Sequence, residues 1–127
     1  MDSPCPCGSS LSYDNCCAPY HGGAIAASAE ALMRSRYCAY VLALEPYLLA
    51  TWHNSTRPQS LNLAEDKQTR WLGLEVRRHV SAPSGNDNAI VEFVARYKIA
   101  GRAFRLHETS RFLHQDGRWF YLDGECA

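Results

Sequence analysis

Two turn signals in the last part of the chain constrain its fold more than any other feature. Ala100-Gly101 and Asp116-Gly117 each separate two runs in which apolar and polar side chains alternate, and a third alternating run precedes them. A two-residue Asp-Gly connection between such runs is a strong β-hairpin signal. Residues 71–124 are therefore predicted to form an antiparallel meander, in which the turns fix the register and the register fixes the faces.

One face of this predicted sheet is almost entirely apolar. If both turns are two-residue loops, Phe93 lies opposite Glu108, and Phe112 lies opposite Tyr121. Three polar side chains interrupt the apolar face: Glu108, Ser110 and Asp123. Because an apolar sheet face must be covered, we expect the preceding part of the chain to pack against it.

The chain before the strands has helical periodicity. Ser28 is a suitable N-cap for a helix that is predicted to end near Leu44. A second, short helix is predicted from Pro46, a residue suited to the first helical turn, to Trp52. Residues 60–69 are compatible with a third short helix. Helices that cover one face of an antiparallel sheet make an α+β fold.

Length, charge and hydropathy restrict the class of protein. The chain has 127 residues, of which 46% are hydrophobic, so one domain with a core is expected. With 13 basic and 13 acidic side chains the formal net charge is zero, which argues against a nucleic-acid-binding role. No stretch approaches the roughly 18 apolar residues of a membrane span, and no secretory leader is recognisable. We therefore expect a cytoplasmic protein without a membrane partner.

Four of the six cysteines lie near the start of the chain with the spacing C-x-C-x8-C-C. They are Cys5, Cys7, Cys16 and Cys17. Disulfides are rare in the cytoplasm, and zinc takes four thiolate or imidazole ligands at tetrahedral corners. Four protein ligands leave no open position, so this Zn²⁺ site would be structural, with His21 as an alternative to Cys17. The other interpretations are a Cys16–Cys17 redox pair and unligated thiols in a loose tail. Cys38 is predicted to be a core residue.

The segment CPCGSSLSYDNCC resembles the SEC-C motif, a short zinc-binding module. The segments ALMRSRYCAY, TWH, WLGLEV, FVARY, SRFL and GRWFYLDG resemble the YchJ family of uncharacterised bacterial proteins. The resemblance implies that residues 1–23 form the zinc-binding motif, with all four clustered cysteines as ligands. It also implies that residues 24–127 adopt a nuclear-transport-factor-2-like (NTF2-like) fold, a curved sheet wrapped around helices to form a cone.

The polar side chains on the apolar face allow two interpretations. Burying a carboxylate is costly unless it is paired, and Arg34 or Arg36 of the first helix could pair with it. Alternatively, the cone holds a small ligand, and a carboxylate acts as a general base in isomerase or hydratase chemistry. The candidates are Glu108 or Asp123 as the base and Tyr121 or His53 as the orienting donor.

The leading hypothesis is a zinc-binding protein-interaction module, an adaptor rather than an enzyme, with a protein partner. The alternative is a small-molecule-binding protein or enzyme that uses the cone pocket. A geometric criterion separates them. Pairing of both Glu108 and Asp123 with arginine, together with the lack of any cavity above roughly 300 Å³, would exclude the enzyme hypothesis.

Overall fold

Four antiparallel strands and the helices that precede them form the predicted α+β architecture. The computed structural model describes residues 3–66, 68–81 and 88–126. In chain order the elements are the 3₁₀ turn Tyr13–Asn15, α1 (Ala18–His21), α2 (Ala29–Val41), α3 (Glu45–Ala50), the 3₁₀ turn Leu63–Glu65, β1 (Thr69–Ser81), β2 (Asn88–Ile99), β3 (Arg102–Gln115) and β4 (Arg118–Cys126). Within these residues, no helix has both the length and the apolarity to cross a membrane.

The helices α2 and α3 begin where the sequence predicts, but each ends a few residues before its predicted end. The hydroxyl of Ser28 accepts a hydrogen bond from the backbone N–H of Ala31 at 3.1 Å, so Ser28 is the N-cap of α2. Ala43 has a left-handed φ of 58°, which does not continue an α-helix and ends this segment. Pro46 lies in the first turn of α3, as predicted. In the described part of residues 60–69, the 3₁₀ turn Leu63–Glu65 stands in place of a third helix.

The sheet has the predicted meander topology, with strand order β1-β2-β3-β4. Both predicted turns are two-residue loops, and their four residues have positive φ angles between 51° and 83°. Positive φ at both central positions is the type I′ geometry that suits the twist of a hairpin. The β2–β3 register is the predicted one throughout the pair, and Phe93 lies opposite Glu108.

A β-bulge in β4 makes the predicted position of Asp123 wrong. The β3–β4 pairing follows the prediction as far as Tyr121, but Asp123 then lies opposite Arg111 instead of Ser110. Leu122 is the extra residue. One extra residue sends every later side chain of a strand to the other face. Asp123 therefore faces outward, where its carboxylate accepts from the guanidinium of Arg111 at 2.5 Å.

The hydrophobic core lies between α2 and the sheet. Leu32 and Tyr37 of α2 and Phe93 and Phe112 of the sheet are each at most 5% exposed. Burying a large apolar side chain contributes about 1.5–3 kcal/mol. Three N-terminal thiols belong to the same buried cluster: Cys5, Cys7 and Cys17. These thiols therefore share one core with the side chains of α2 and the sheet.

The segment after α3 covers the outer edge of β4. The backbone N–H of Tyr121 donates to the carbonyl of Thr51 at 2.8 Å, and the N–H of His53 donates to the carbonyl of Tyr121 at 2.7 Å. These bonds satisfy backbone groups that an edge strand otherwise exposes. They also place Trp52 beside the ring of Tyr121, with centroids 4.9 Å apart.

Candidate functional site

The sulfur atoms of the four N-terminal cysteines lie together. Those of Cys5, Cys7, Cys16 and Cys17 are all within 4.8 Å of one another. The Cys7–Cys16 and Cys16–Cys17 sulfur distances are 3.6 Å and 3.9 Å. A tetrahedral zinc ion with Zn–S bonds of about 2.3 Å separates its sulfur ligands by about 3.8 Å. Donor type and spacing therefore fit a four-coordinate zinc ion.

Backbone hydrogen bonds shape the segment that carries these sulfurs, residues 3–17, which we call the knuckle. The N–H of Cys5 donates to the carbonyl of Leu11 at 2.9 Å, and the N–H of Gly8 donates to the carbonyl of Cys5 at 3.1 Å. Gly8 has a φ of 80°, a value that a glycine adopts without strain. The tight turn brings the first cysteine pair back towards Cys16. Cys16 is partly exposed, whereas Cys5, Cys7 and Cys17 are buried.

Three contacts fix the knuckle and the following turn on α2. The sulfur of Cys38 lies 3.3 Å from that of Cys5. The guanidinium of Arg34 donates to the carbonyl of Cys7 at 2.9 Å. Nε2 of His21 lies 2.8 Å from the carbonyl oxygen of Ser35. The cysteine cluster therefore rests on one side of α2.

The imidazole of His21 is engaged away from the cluster. Because a carbonyl oxygen only accepts, Nε2 carries the hydrogen that it donates to Ser35. Nδ1 lies 2.6 Å from the hydroxyl of Tyr13. Both ring nitrogens thus have partners, and His21 is not among the clustered donors.

The buried thiols influence one another's protonation. Hydrogen bonds with Cys17 and Cys38 hold the pKa of Cys7 well below its usual value, although burial opposes this shift. Contacts with Cys38 and Cys7, followed by burial, raise the pKa of Cys17. A divalent cation would instead favour the thiolate form of every ligand.

A second feature is a cavity of about 240 Å³ between α2 and the sheet, which we call the cone pocket. Its charged lining residues are Arg36 and Glu108, and aromatic side chains supply much of the remaining wall: Tyr37, Tyr40, Trp71, Phe93 and Tyr121. A wider groove of about 630 Å³ lies beside it and shares Tyr40 and Trp71. Two predicted pocket residues, Glu108 and Tyr121, line the cavity.

The carboxylate of Glu108 has hydroxyl partners rather than an arginine. It accepts hydrogen bonds from Ser110 at 2.5 Å and from Tyr121 at 3.3 Å. No arginine among the described residues lies within ion-pair distance of it, and Arg34 pairs with Glu30 at 3.1 Å. A Cβ atom on Gly124 would overlap this carboxylate, so the bare backbone of Gly124 provides the space that Glu108 occupies.

Arg36 is the other charged group in the pocket and is only 4% exposed. Its guanidinium carbon lies 5.1 Å from the ring centroid of Trp52 and 4.7 Å from that of Tyr121. Nη1 donates to the carbonyl of Leu48 at 2.8 Å and to the hydroxyl of Thr51 at 2.6 Å. Nε and Nη2 have no hydrogen-bond partner in the part of the chain that the structure describes. Burial lowers the pKa of Arg36 to about 10, so it remains a cation at neutral pH.

The other two predicted pocket residues lie elsewhere. The bulge turns Asp123 outward, as described above. His53 was expected at the mouth of the cone, but its backbone is held along the edge of β4 and its ring packs on Phe120. Its nitrogens lie 2.7 Å from the hydroxyl of Ser55 and 2.8 Å from the amide oxygen of Gln115. His53 is therefore a surface hydrogen-bonding residue outside the cavity.

Comparison with known proteins decides the family. Residues 28–124 match the family described as YchJ, middle NTF2-like domain. The chain belongs to the YchJ family. Its bacterial relatives include a UPF0225 protein of Methylibium petroleiphilum, 58% identical over 123 residues, which cover 96% of this chain and 88% of the relative. A UPF0225 protein of Chromobacterium violaceum is 54% identical over 126 residues, with 97% and 93% covered.

Two solved structures resemble this YchJ chain over nearly its whole length. A SEC-C motif containing protein from Rhodopseudomonas palustris has a TM-score of 0.86 and 35% identity, with 98% of this chain and 99% of that chain covered. A sec-c motif containing protein from Psychrobacter arcticus has a TM-score of 0.79 and 31% identity, with 100% and 83% covered. The predicted family and fold are confirmed.

Two features of the site in this YchJ chain could not be predicted from the sequence. Cys38 was predicted only as a core residue, because it lies far along the chain from the other thiols and no ligand spacing includes it. The space for Glu108 beside Gly124 depends on the bulge at Leu122, which has no residue-type signature. The sequence allows Arg36 as a partner for a buried carboxylate, whereas in the structure Arg36 contacts aromatic rings and neutral oxygens.

Proposed function

We propose that this YchJ protein binds one structural Zn²⁺ through Cys5, Cys7, Cys16 and Cys17. One observation carries the proposal: four cysteine sulfurs, three of them on buried residues, lie within 4.8 Å of one another at separations that suit a tetrahedral ion. Zinc at this site would cross-link the two ends of the knuckle. With four protein ligands it would have no open position for a substrate, so it would stabilise structure rather than react.

The zinc content of purified variants tests the ligand set. Wild-type protein and Cys126→Ser should each contain about one Zn²⁺ per chain, whereas Cys7→Ser should contain far less. Cys126 is the matched control, because its thiol is exposed and lies outside the cluster. His21→Gln should keep the metal, since both nitrogens of His21 have other partners. Equal zinc in Cys7→Ser and Cys126→Ser would contradict the proposal.

The folded knuckle would then serve as a protein-interaction surface in the cytoplasm, where a reducing environment keeps such thiols available for metal. Leu11 of the knuckle is 53% exposed and offers an apolar contact for a protein partner. The closed metal site supports this role, because four protein ligands give the ion no catalytic position.

Matched surface variants test the interaction role. Leu11→Asp, which leaves the cysteine cluster intact, and Cys7→Ser, which removes a proposed ligand, should both lose a specific partner that the zinc-loaded wild type binds in cross-linking and affinity experiments. Leu72→Asp should keep it, because Leu72 is 54% exposed but lies on β1. A partner that binds all three variants equally would exclude the knuckle as its docking surface.

The cone pocket supports a second candidate function, the binding of a small molecule. The observation that favours it is a cavity that contains a buried arginine with an unpartnered edge and a glutamate without a cationic partner. The criterion against an enzyme is not met. Asp123 pairs with Arg111, but Glu108 has hydroxyl partners in place of an arginine, and the adjoining groove of about 630 Å³ is larger than roughly 300 Å³. Glu108, oriented by Tyr121, is the one predicted carboxylate base in the pocket. Filling the cavity with Ala95→Leu should abolish ligand binding, which calorimetry measures.

A further inference from the structure

Three kinds of surface meet in the cone pocket. Aromatic rings form much of the wall, the guanidinium of Arg36 lies at one position and the carboxylate of Glu108 at another. No ion pair joins the two charges within the described residues, so each presents hydrogen-bonding capacity to the cavity. A ligand for this pocket would therefore combine a flat apolar body with both an acceptor and a donor.

The orientation of Arg36 determines which hydrogen-bond acceptor a ligand of the pocket would need. Leu48 and Thr51 hold Nη1, and the rings of Trp52 and Tyr121 hold the plane of the guanidinium. The edge formed by Nε and Nη2 remains without a partner among the described residues. Two parallel N–H groups on one guanidinium edge match the two oxygens of a carboxylate. Because Arg36 is already fixed, a carboxylate would bind there with little loss of side-chain entropy.

The surroundings of Glu108 determine which hydrogen-bond donor a ligand of the pocket would need. Ser110 and Tyr121 both donate to its Oε2 atom, and Oε1 has no partner in the described parts of the chain. A carboxylate oxygen in a cavity accepts a hydroxyl or ammonium hydrogen and repels a second anion. A ligand with a carboxylate alone would leave Oε1 unsatisfied, whereas a ligand that also carries a donor would satisfy both charged groups.

We propose that the cone pocket binds a small aromatic carboxylic acid that also carries a hydroxyl or ammonium group. Its carboxylate would lie on the Nε–Nη2 edge of Arg36, its donor on Glu108 and its ring against the aromatic wall. This inference rests on the second candidate function above. The cavity of about 240 Å³ limits the ligand to a single ring with two small substituents.

Binding of simple probes to the zinc-loaded full chain tests the ligand class. The probes are 3- and 4-hydroxybenzoate, benzoate, and phenol, each titrated by calorimetry and by amide chemical shifts of Ala95 and Leu106. The better hydroxybenzoate should bind at least about tenfold more tightly than benzoate or phenol, because a hydrogen bond to a charged group discriminates by that much. In Glu108→Leu, this hydroxybenzoate should bind no more tightly than benzoate. Glu125→Leu, an exposed position on β4, should keep the advantage.

Arg36→Lys should reduce hydroxybenzoate binding to the level of phenol, because lysine lacks the two-pronged edge. If Arg36→Lys fails to fold, Glu108→Leu still tests the donor half of the proposal. Equal binding of phenol and both hydroxybenzoates would overturn the ligand class and leave small-molecule binding in place. Absence of any shift at Ala95 and Leu106 with every probe would overturn both the ligand class and the second candidate function.

Discussion

A single inserted residue decides the chemistry of the cone pocket. Because Leu122 is the extra residue of a bulge, Asp123 leaves the inner face and Gly124 takes the position opposite Ser110. The predicted pair of inward carboxylates is thus reduced to one, and that carboxylate lies where a side chain on β4 would otherwise stand. The environment of Glu108 therefore depends on a glycine and a bulge that sequence periodicity cannot reveal.

Gly124→Ala should destabilise the protein by displacing Glu108. The new Cβ atom would overlap the carboxylate, and the glutamate would lose its hydrogen bonds from Ser110 and Tyr121. We expect the free energy of unfolding to fall by about 1–3 kcal/mol in urea denaturation. Gly73→Ala is the matched control, because its Cβ would meet open space in β1, and its effect should stay within about 0.5 kcal/mol. Equal effects of the two substitutions would contradict the role of Gly124.

At the level of the elements, prediction succeeded where a signal was local. The two hairpin turns were predictable because Gly101 and Gly117 adopt positive φ angles without strain, and Asp116 tolerates one, as a two-residue loop requires. The N-cap of α2 was predictable from Ser28 for a similar reason. The early end of α2 at the left-handed Ala43 was not, because alanine has no preference for that conformation and the surrounding structure imposes it.

The start of α3 gives a pH-dependent prediction through Glu45. Its carboxylate accepts from the backbone N–H groups of Leu63 at 2.8 Å and Leu61 at 3.3 Å and from the hydroxyl of Ser60 at 3.3 Å, which fastens residues 60–63 to the helix. The bond from Leu63, and then that from Leu61, holds the pKa of Glu45 below 4.5. The stabilisation is therefore present above pH 4.5 and is lost as the pH falls through the lower folded-state pKa.

Thermal unfolding of wild type and Glu45→Gln across this pH range measures the effect. The wild type should be the more stable at neutral pH, and the difference should shrink as the solution becomes more acidic than pH 4.5. Glu75→Gln, which alters an exposed ion pair with Arg77, should show little difference at neutral pH. A Glu45→Gln difference that is independent of pH would contradict the proposed stabilisation by the ionised Glu45 carboxylate.

At the scale of the whole molecule, α2 joins the two candidate sites. Its Arg34, Ser35 and Cys38 contact the knuckle and the turn after it, whereas Arg36 and Tyr40 line the cone pocket. The four-cysteine cluster was predictable because its spacing is contained in one short segment. The position of the cluster on α2 was not predictable, because it depends on contacts between residues far apart in the chain.

Removal of zinc should expose the cluster, and a thiol reagent measures this directly. With the metal bound, about one thiol per chain should react quickly, since Cys126 is exposed, Cys16 is only partly so and Cys5, Cys7, Cys17 and Cys38 are buried. After chelation the knuckle should loosen, and most of the six thiols should become reactive. Cys126→Ser should lose the fast reaction of the zinc-loaded protein and keep the increase on chelation. If chelation removes the metal and the number of reactive thiols stays the same, the buried sulfurs are held by the core alone, and zinc does not shape the knuckle.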